Sequence, residues 1–243
     1  MKRFSRTPSR SFNLENAGSA QPYRRDNMSI ELKLRILSAI ILVPPVIAAI
    51  HFGAPYFEVM VCIGGAILIY EICSVSSGQL SWSIPAIIYV LVALLALLFL
   101  HSQNQYGAVT LYCLFVLVWT SDTVAYFFGR AIGGPKLAPR LSPNKTWSGF
   151  FGAVIGAALV GIAIAYYNNF NYFTCFLVSA CLGAISQCGD LIESFYKRQF
   201  DKKDMSNLIP GHGGLSDRVD GLLAVASVYG LAQFFSGGTL STW

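Results

Sequence analysis

A polytopic, all-α integral membrane protein with about seven transmembrane helices and a polar site at the cytoplasmic face is the fold class that this sequence predicts. Three observations predict it. Hydrophobic residues fill 54% of the 243 positions and charged residues only 12%, where ordinary soluble domains carry roughly a quarter charged. From Ile36 to Gly129 there is no Lys or Arg, and the acids are Glu58, Glu71 and Asp122 alone. The basic residues that do occur gather into three regions, separated by apolar stretches of membrane-crossing length.

The elements follow in order. Residues 1–34 form a polar, basic N-terminal segment, expected to be disordered up to about residue 27, because Arg, Ser, Asn and Gln offer too little apolar surface to bury. No short apolar core precedes a small-residue cleavage site there, so it does not read as a cleaved signal peptide. The pair Arg24 and Arg25 reads as a solvated, lipid-facing charge cluster rather than a twin-arginine signal, and Met28 is an alternative start. Residues 35–243 form the transmembrane domain. A span needs about 20 mainly apolar residues, and seven stretches supply them: 36–52, 56–73, 84–100, 108–128, 150–167, 173–190 and 219–235. Pro44 and Pro45 are expected to kink or break the first, and Pro55 abuts the second.

Orientation follows from the cations. Eight Lys or Arg precede Ile36, four lie between Arg130 and Lys145, and Lys197, Arg198, Lys202, Lys203 and Arg218 fill the loop before the last span. With seven spans these regions share one side, while the other connectors carry no Lys or Arg, so the positive-inside rule places the N-terminus and both basic loops in the cytoplasm. A bacterial inner membrane suits that arrangement.

Six cysteines (Cys62, Cys73, Cys113, Cys175, Cys181 and Cys188) fall in or beside apolar segments without metal-type spacing. They read as small buried hydrophobes. His51 and His101 read as interface residues, Glu58 and Glu71 as interfacial or helix-pairing residues, and Gly152 with Gly156 as a GxxxG helix-packing face.

The remaining acids carry more information, since an Asp at a helix centre costs about 2.5–3.5 kcal/mol on insertion scales. Asp122, Asp190, Asp217 and Asp220 all approach the same face by this topology. Asp217 and Asp220, three positions apart, share a helix face and could grip one cation; for Asp217 a partnership with the helix N-terminus is the plainer alternative. Just before them, Gly213 and Gly214 permit a tight turn whose amides could meet a phosphate. His212 precedes that turn and is counted with the candidate catalytic residues. The cations Lys197, Arg198, Lys202 and Lys203 would also be drawn to anionic headgroups whatever their chemistry.

Together these residues resemble a known family. Ser194, Lys197-Arg198, Lys203-Asp204, Pro210, His212-Gly213-Gly214 and Asp217-Arg218-Val219-Asp220 are similar to the signature of the phosphatidate cytidylyltransferases (CDP-diacylglycerol synthases). Upstream, Ser121-Asp122-Thr123, Ala125-Tyr126, Gly129-Arg130, Ser142-Pro143, Lys145-Thr146-Trp147 and Gly149 resemble that family's other characteristic stretches. The resemblance covers about the C-terminal half, and it departs at Tyr196, where an aliphatic residue or Phe is usual.

The resemblance implies that CTP and phosphatidate give CDP-diacylglycerol and pyrophosphate, with Mg²⁺ as cofactor. It assigns Asp190 and Asp217 as leading metal ligands with Asp220 next, and Asp122 as a further acid of the polar cavity. It gives phosphate holding to Lys145, Lys197, Arg198 and Arg218, with Ser142 and Thr146 as hydroxyl donors. The expected catalytic set is therefore Asp190, Asp217, Asp220, Lys197, Arg218 and His212; Asp122, Ser142, Lys145, Thr146, Arg198, Gly213 and Gly214 would contact substrate. The expected partners are the two substrates and the lipid bilayer; a homodimer is compatible with this reading, and no nucleic-acid polymer is expected. Asp217→Asn is expected to abolish turnover with little loss of folded protein.

Two rival classes are weighed on the same residues. A transporter would line a midplane site with its acids, whereas these lie at span ends beside basic loops. A CTP-dependent lipid kinase of the polyprenol type would hold the same nucleotide but break the γ-phosphoryl bond and release CDP. The SPNKTW stretch lacks the Gly-rich half of a Walker A loop, which disfavours a P-loop ATPase.

Overall fold

The computed structural model describes residues 41–103, 106–209 and 213–236. The segment 1–34 and His212 therefore lie outside the described residues. Seven helices and one small hairpin make up the described fold, in the order α1 (Ile41–Phe52), α2 (Tyr56–Ser76), α3 (Leu80–His101), α4 (Gly107–Ala131), β1 (Lys136–Ala138), β2 (Ser142–Thr146), α5 (Trp147–Asn168), α6 (Tyr172–Gln199) and α7 (Ser216–Phe235).

Among the described residues each predicted stretch overlaps a helix, and five of these, α2 to α6, are long and apolar enough to cross a bilayer. The other two fall short for different reasons. The described part of α1 has too few residues, and α7 carries Asp217, Arg218 and Asp220 in its first turns. Helices dominate because lipid offers backbone groups no partner, so each segment must close its own hydrogen bonds. Pro44 and Pro45 do not break α1, which runs through them.

Local chemistry sets several boundaries. Thr146 caps α5 by accepting the Gly149 N–H at 3.1 Å, and Asn171 caps α6 by accepting the Thr174 N–H at 3.0 Å. Ser77 and Asn169 end α2 and α5 in left-handed conformations, with φ of 50° and 56°. Polar short side chains tolerate such closing turns better than branched ones do.

Two expectations are corrected. The last predicted span but one, 173–190, is longer than the hydropathy suggests: α6 continues to Gln199, so Lys197 and Arg198 stand in its final turn rather than in a loop. A helix need not stop where its apolar run stops if protein, and not lipid, surrounds the extension. The connector after α4 is likewise not plain loop but an antiparallel pair, with Lys136 opposite Thr146 and Ala138 opposite Ser142. Gly133 and Gly134, at φ of 65° and 103°, turn the chain into it.

Packing follows small residues. Gly152 and Gly156 of α5 face Phe128 and Val124 of α4, as the GxxxG pattern predicts; a Cβ at Gly156 would lie 2.9 Å from the Val124 Cβ. One apolar cluster joins Ile50, Phe57, Leu100, Leu111, Leu114, Leu117 and Val225. A second, of Leu68, Ile72, Val75, Val90, Tyr196, Met205 and Leu223, lies where α2, α3, α6 and α7 meet Met205. Outward faces carry exposed Ile63, Leu95, Phe127, Leu159 and Phe173, as lipid-facing surfaces should. Of the cysteines only Cys175 is buried, while Cys62, Cys73, Cys181 and Cys188 are exposed, which corrects their reading as core residues.

Candidate active site

A cavity of about 850 Å³ opens among α4, the hairpin, α5, α6 and the start of α7. Asp122 from α4, Lys145 and Thr146 from β2, Asp190 from α6, and Asp217, Arg218 and Asp220 from α7 all line it, as does Ser142. Residues scattered over nearly a hundred positions are thus brought to one cavity. The hairpin delivers Lys145, with Ser142, Asn144 and Thr146 of the same strand beside it in the lining.

Lys145 is the electrostatic centre. Its Nζ lies 2.6 Å from Asp190 Oδ2 and donates to the Gln187 carbonyl and Oε1, both at 3.4 Å. Gln187 Nε2 in turn donates to Asp122 Oδ1 at 2.9 Å. Asp190 Oδ1 accepts from Ser194 Oγ at 3.3 Å, and Asp220 Oδ1 accepts the Gly221 N–H at 2.8 Å. Asp220 feels the charges of Asp190 and Asp122. Asp190 is thus paired with the ammonium while Asp122 and Asp220 stand nearby without an ion pair in this set, and their oxygens are the ones suited to a cation.

Asp217 faces a different task. Its Oδ1 accepts from Lys197 Nζ at 2.6 Å, and its Oδ2 accepts the N–H groups of Gly214 at 2.8 Å and Met205 at 2.9 Å. Burial pushes its carboxyl up, but these hydrogen bonds and the Lys197 charge outweigh it and hold the group below its usual value. Lys197 also meets Glu193 Oε1 at 2.9 Å, and Glu193 Oε2 accepts from Ser216 Oγ at 3.0 Å. The two side chains of the Lys197–Asp217 pair are only 11% and 6% exposed.

Several predicted contacts are thereby placed elsewhere. Lys197 is buried between two carboxylates and does not line the cavity. Arg198 is exposed and donates to the carbonyls of Leu141 and Lys202, at 3.3 and 2.8 Å. The amides of Gly213 and Gly214, expected to meet a phosphate, go instead to the Ile209 carbonyl and to Asp217. Thr146 Oγ1 is engaged as the α5 cap and with Ser148 at 2.9 Å. Local turn geometry was legible in the glycines; which acceptor their amides meet depended on Asp217 folding back over them.

A model of the cytidylyltransferase family matches residues 79–235. The chain belongs to the cytidylyltransferase family. The phosphatidate cytidylyltransferase of Brucella abortus (strain 2308) is 46% identical over 156 residues, covering 63% of this chain and 56% of that protein. The proteins of the same name from Rickettsia bellii (strain RML369-C) and Rickettsia conorii (strain ATCC VR-613 / Malish 7) are 34% and 33% identical over 212 and 221 residues. These matches cover 84% and 87% of this chain, and 91% and 95% of the relatives. The chain thus spans little more than half the length of the Brucella relative in that match.

For this cytidylyltransferase-family chain, sequence reasoning missed residues that the cavity uses. Gln187, joining Lys145 to Asp122, precedes Asp190 by three positions and so shares its helix face; that spacing could have found it. Asn144 also lines the cavity, as do Tyr126 and Arg130, which the sequence named only within the family resemblance and gave no role; the Tyr126 hydroxyl receives the Arg130 guanidinium at 2.6 Å. The i, i+4 spacing of Tyr126 and Arg130 on α4 was the available signal for that pair.

Proposed function

We propose that this chain transfers the cytidylyl group of CTP to phosphatidate, giving CDP-diacylglycerol and pyrophosphate. The single observation that carries the reading is the cavity wall itself, where Asp122, Asp190 and Asp220 stand beside Lys145 and Arg218 in a chain of the cytidylyltransferase family. Its volume of about 850 Å³ is within the ~300–1,000 Å³ usual for ligand sites. In the reaction a phosphate oxygen of phosphatidate attacks the α-phosphorus as the bond to the pyrophosphate oxygen breaks. The nucleophile is already anionic, so no side-chain base is required.

The residues present fit Mg²⁺. Their donors are carboxylate oxygens, which suit a hard cation. Among the described residues no three His, Cys, Asp or Glu side chains gather as a ready cage, and Mg²⁺ usually takes one or two carboxylates and completes its shell with substrate phosphates and water. Asp190, whose side chain is 38% exposed, and Asp220 would hold it, with Asp122 close by; Asp217, leading in the sequence reading, is only 6% exposed and takes Lys197 and two backbone N–H groups, and braces the site instead. When bound, the ion would neutralise charge on the departing pyrophosphate. Lys145 and Arg218 would draw the phosphates in and hold them in line.

The basic flanks support, through the positive-inside rule, a cytoplasmic position for this site, and a bacterial inner membrane suits it. Purified protein with phosphatidate, Mg²⁺ and α-labelled CTP tests the reaction. Label in a lipid product supports the transfer. Label remaining in CDP, with the γ-phosphate on the lipid, would make the chain a kinase and overturn it.

A further inference from the structure

Glu71 is fully buried, on α2, upstream of the region that the family model matches. It does not line the cavity. Yet its carboxylate collects three donors from the far end of the chain. Oε1 accepts the Leu215 N–H at 2.8 Å and the Ser206 hydroxyl at 2.7 Å, and Oε2 accepts the Ser216 N–H at 2.9 Å. The first N–H groups of α7 have no helical partner of their own, and a carboxylate there also complements the helix dipole. Glu71 was expected to be an interfacial or helix-pairing residue; the structure makes it the cap of a helix that lies over 140 residues downstream.

A second observation points the same way. A Cβ at Gly214 would lie 2.6 Å from Glu71 Oε1 and 2.9 Å from its Cδ and Oε2. Gly214 is not among the glycines with positive φ, so its backbone would accept a side chain. Space for the Glu71 carboxylate, and not conformation, is what calls for glycine. Asp220 and Arg218, which do line the cavity, follow within the next six residues of the same rigid helix.

We propose that Glu71 is a positioning residue, one that fixes where α7 begins and thereby sets Asp220 and Arg218 against Asp190 across the cavity. This rests on the reading of the cavity as the site of cytidylyl transfer. Only a carboxylate at this reach serves all three donors: Gln turns an NH₂ group toward one or two of them, and Asp is one methylene short.

The test uses the full chain in detergent with Mg²⁺, CTP and phosphatidate, comparing wild type with Glu71→Gln, Gly214→Ala, and Glu71→Asp combined with Gly214→Ala. Three readouts are taken: kcat and KM for CTP separately, per mole of folded protein, and hydrogen exchange of the 215–220 amides. Glu71→Gln and Gly214→Ala are each expected to lower kcat about tenfold or more, since small misplacements at a reacting centre carry losses of up to about a hundredfold. They should also speed amide exchange at 215 and 216. The paired variant should recover part of the Gly214→Ala loss, because the shorter acid withdraws from the added methyl. Wild-type kcat in Glu71→Gln despite faster exchange would overturn the proposal, as would losses in the paired variant that simply add. A wild type that yields no labelled lipid would sink the reaction reading alone; the hold of Glu71 on α7 would then be judged by exchange and its recovery in the pair.

Discussion

Replacing Asp217 by Asn separates bracing from metal binding. In the folded protein one oxygen takes Lys197 Nζ at 2.6 Å and the other takes two backbone N–H groups at 2.8 and 2.9 Å. Asparagine has one acceptor oxygen. If that oxygen faces Lys197, its NH₂ opposes two amides; turned over, its NH₂ opposes an ammonium. A lost hydrogen bond to a charged group costs about 1.5–3 kcal/mol and an orphaned buried donor about 1–3 kcal/mol. Removing one partner of a buried ion pair costs about 3–5 kcal/mol. Lys197 keeps Glu193 at 2.9 Å, which places the loss at the lower end, about 3 kcal/mol. For a chain of this size that lowers Tm by about 10 °C. Thermal unfolding in detergent measures it, with Lys197→Met and the double variant alongside, and the single losses should fail to add by about 1–2 kcal/mol. The outcome expected from sequence alone, lost turnover in a protein as stable as wild type, would refute the bracing role and return Asp217 to the metal.

Three further outcomes are expected. The Asp217 carboxyl is held below its usual value because hydrogen bonds from Lys197, Gly214 and Met205 outweigh burial. Its stabilisation is therefore complete above the unfolded pKa of about 3.9 and lost as pH falls through the folded value. Thermal stability of wild type should drop below about pH 4, and Asp217→Asn should show a shallower drop; identical profiles would contradict it. Lys145→Ala removes the ammonium 2.6 Å from Asp190 and should raise KM for CTP about tenfold or more, equivalent to ~1.4 kcal/mol. Steady-state kinetics with an unchanged CTP dependence would exclude Lys145 from nucleotide contact. Gly156→Leu drives a side chain into Val124, whose Cβ would stand 2.9 Å from even the first added carbon, and should cost about 1–3 kcal/mol by overpacking; a thermal transition matching wild type would show the α4–α5 seam to be loose.

How much was legible varies by residue. Asp122, Asp190 and Asp220 stood out because a charge in an apolar run is costly and needs a reason, Lys145 stood out through the family resemblance, and the cavity gathers all four. Lys197 stood out through the family resemblance and the Gly213-Gly214 turn through its conformational freedom, but the structure uses them to hold the protein together. Sequence shows that a charge must be compensated; it does not show by what. Glu71 was misread for that reason, since its donors arrive through the chain's return to α2.

The sequence by itself determined that this chain is helical, where its apolar helices lie, and which acids and bases need a compensating partner. Those follow from periodicity, length and the cost of charge in lipid, all of which are local along the chain. Only the tertiary structure decided which charges face the cavity and which pair inside the protein, because that choice depends on distances between helices brought together from α2, α4, α6 and α7.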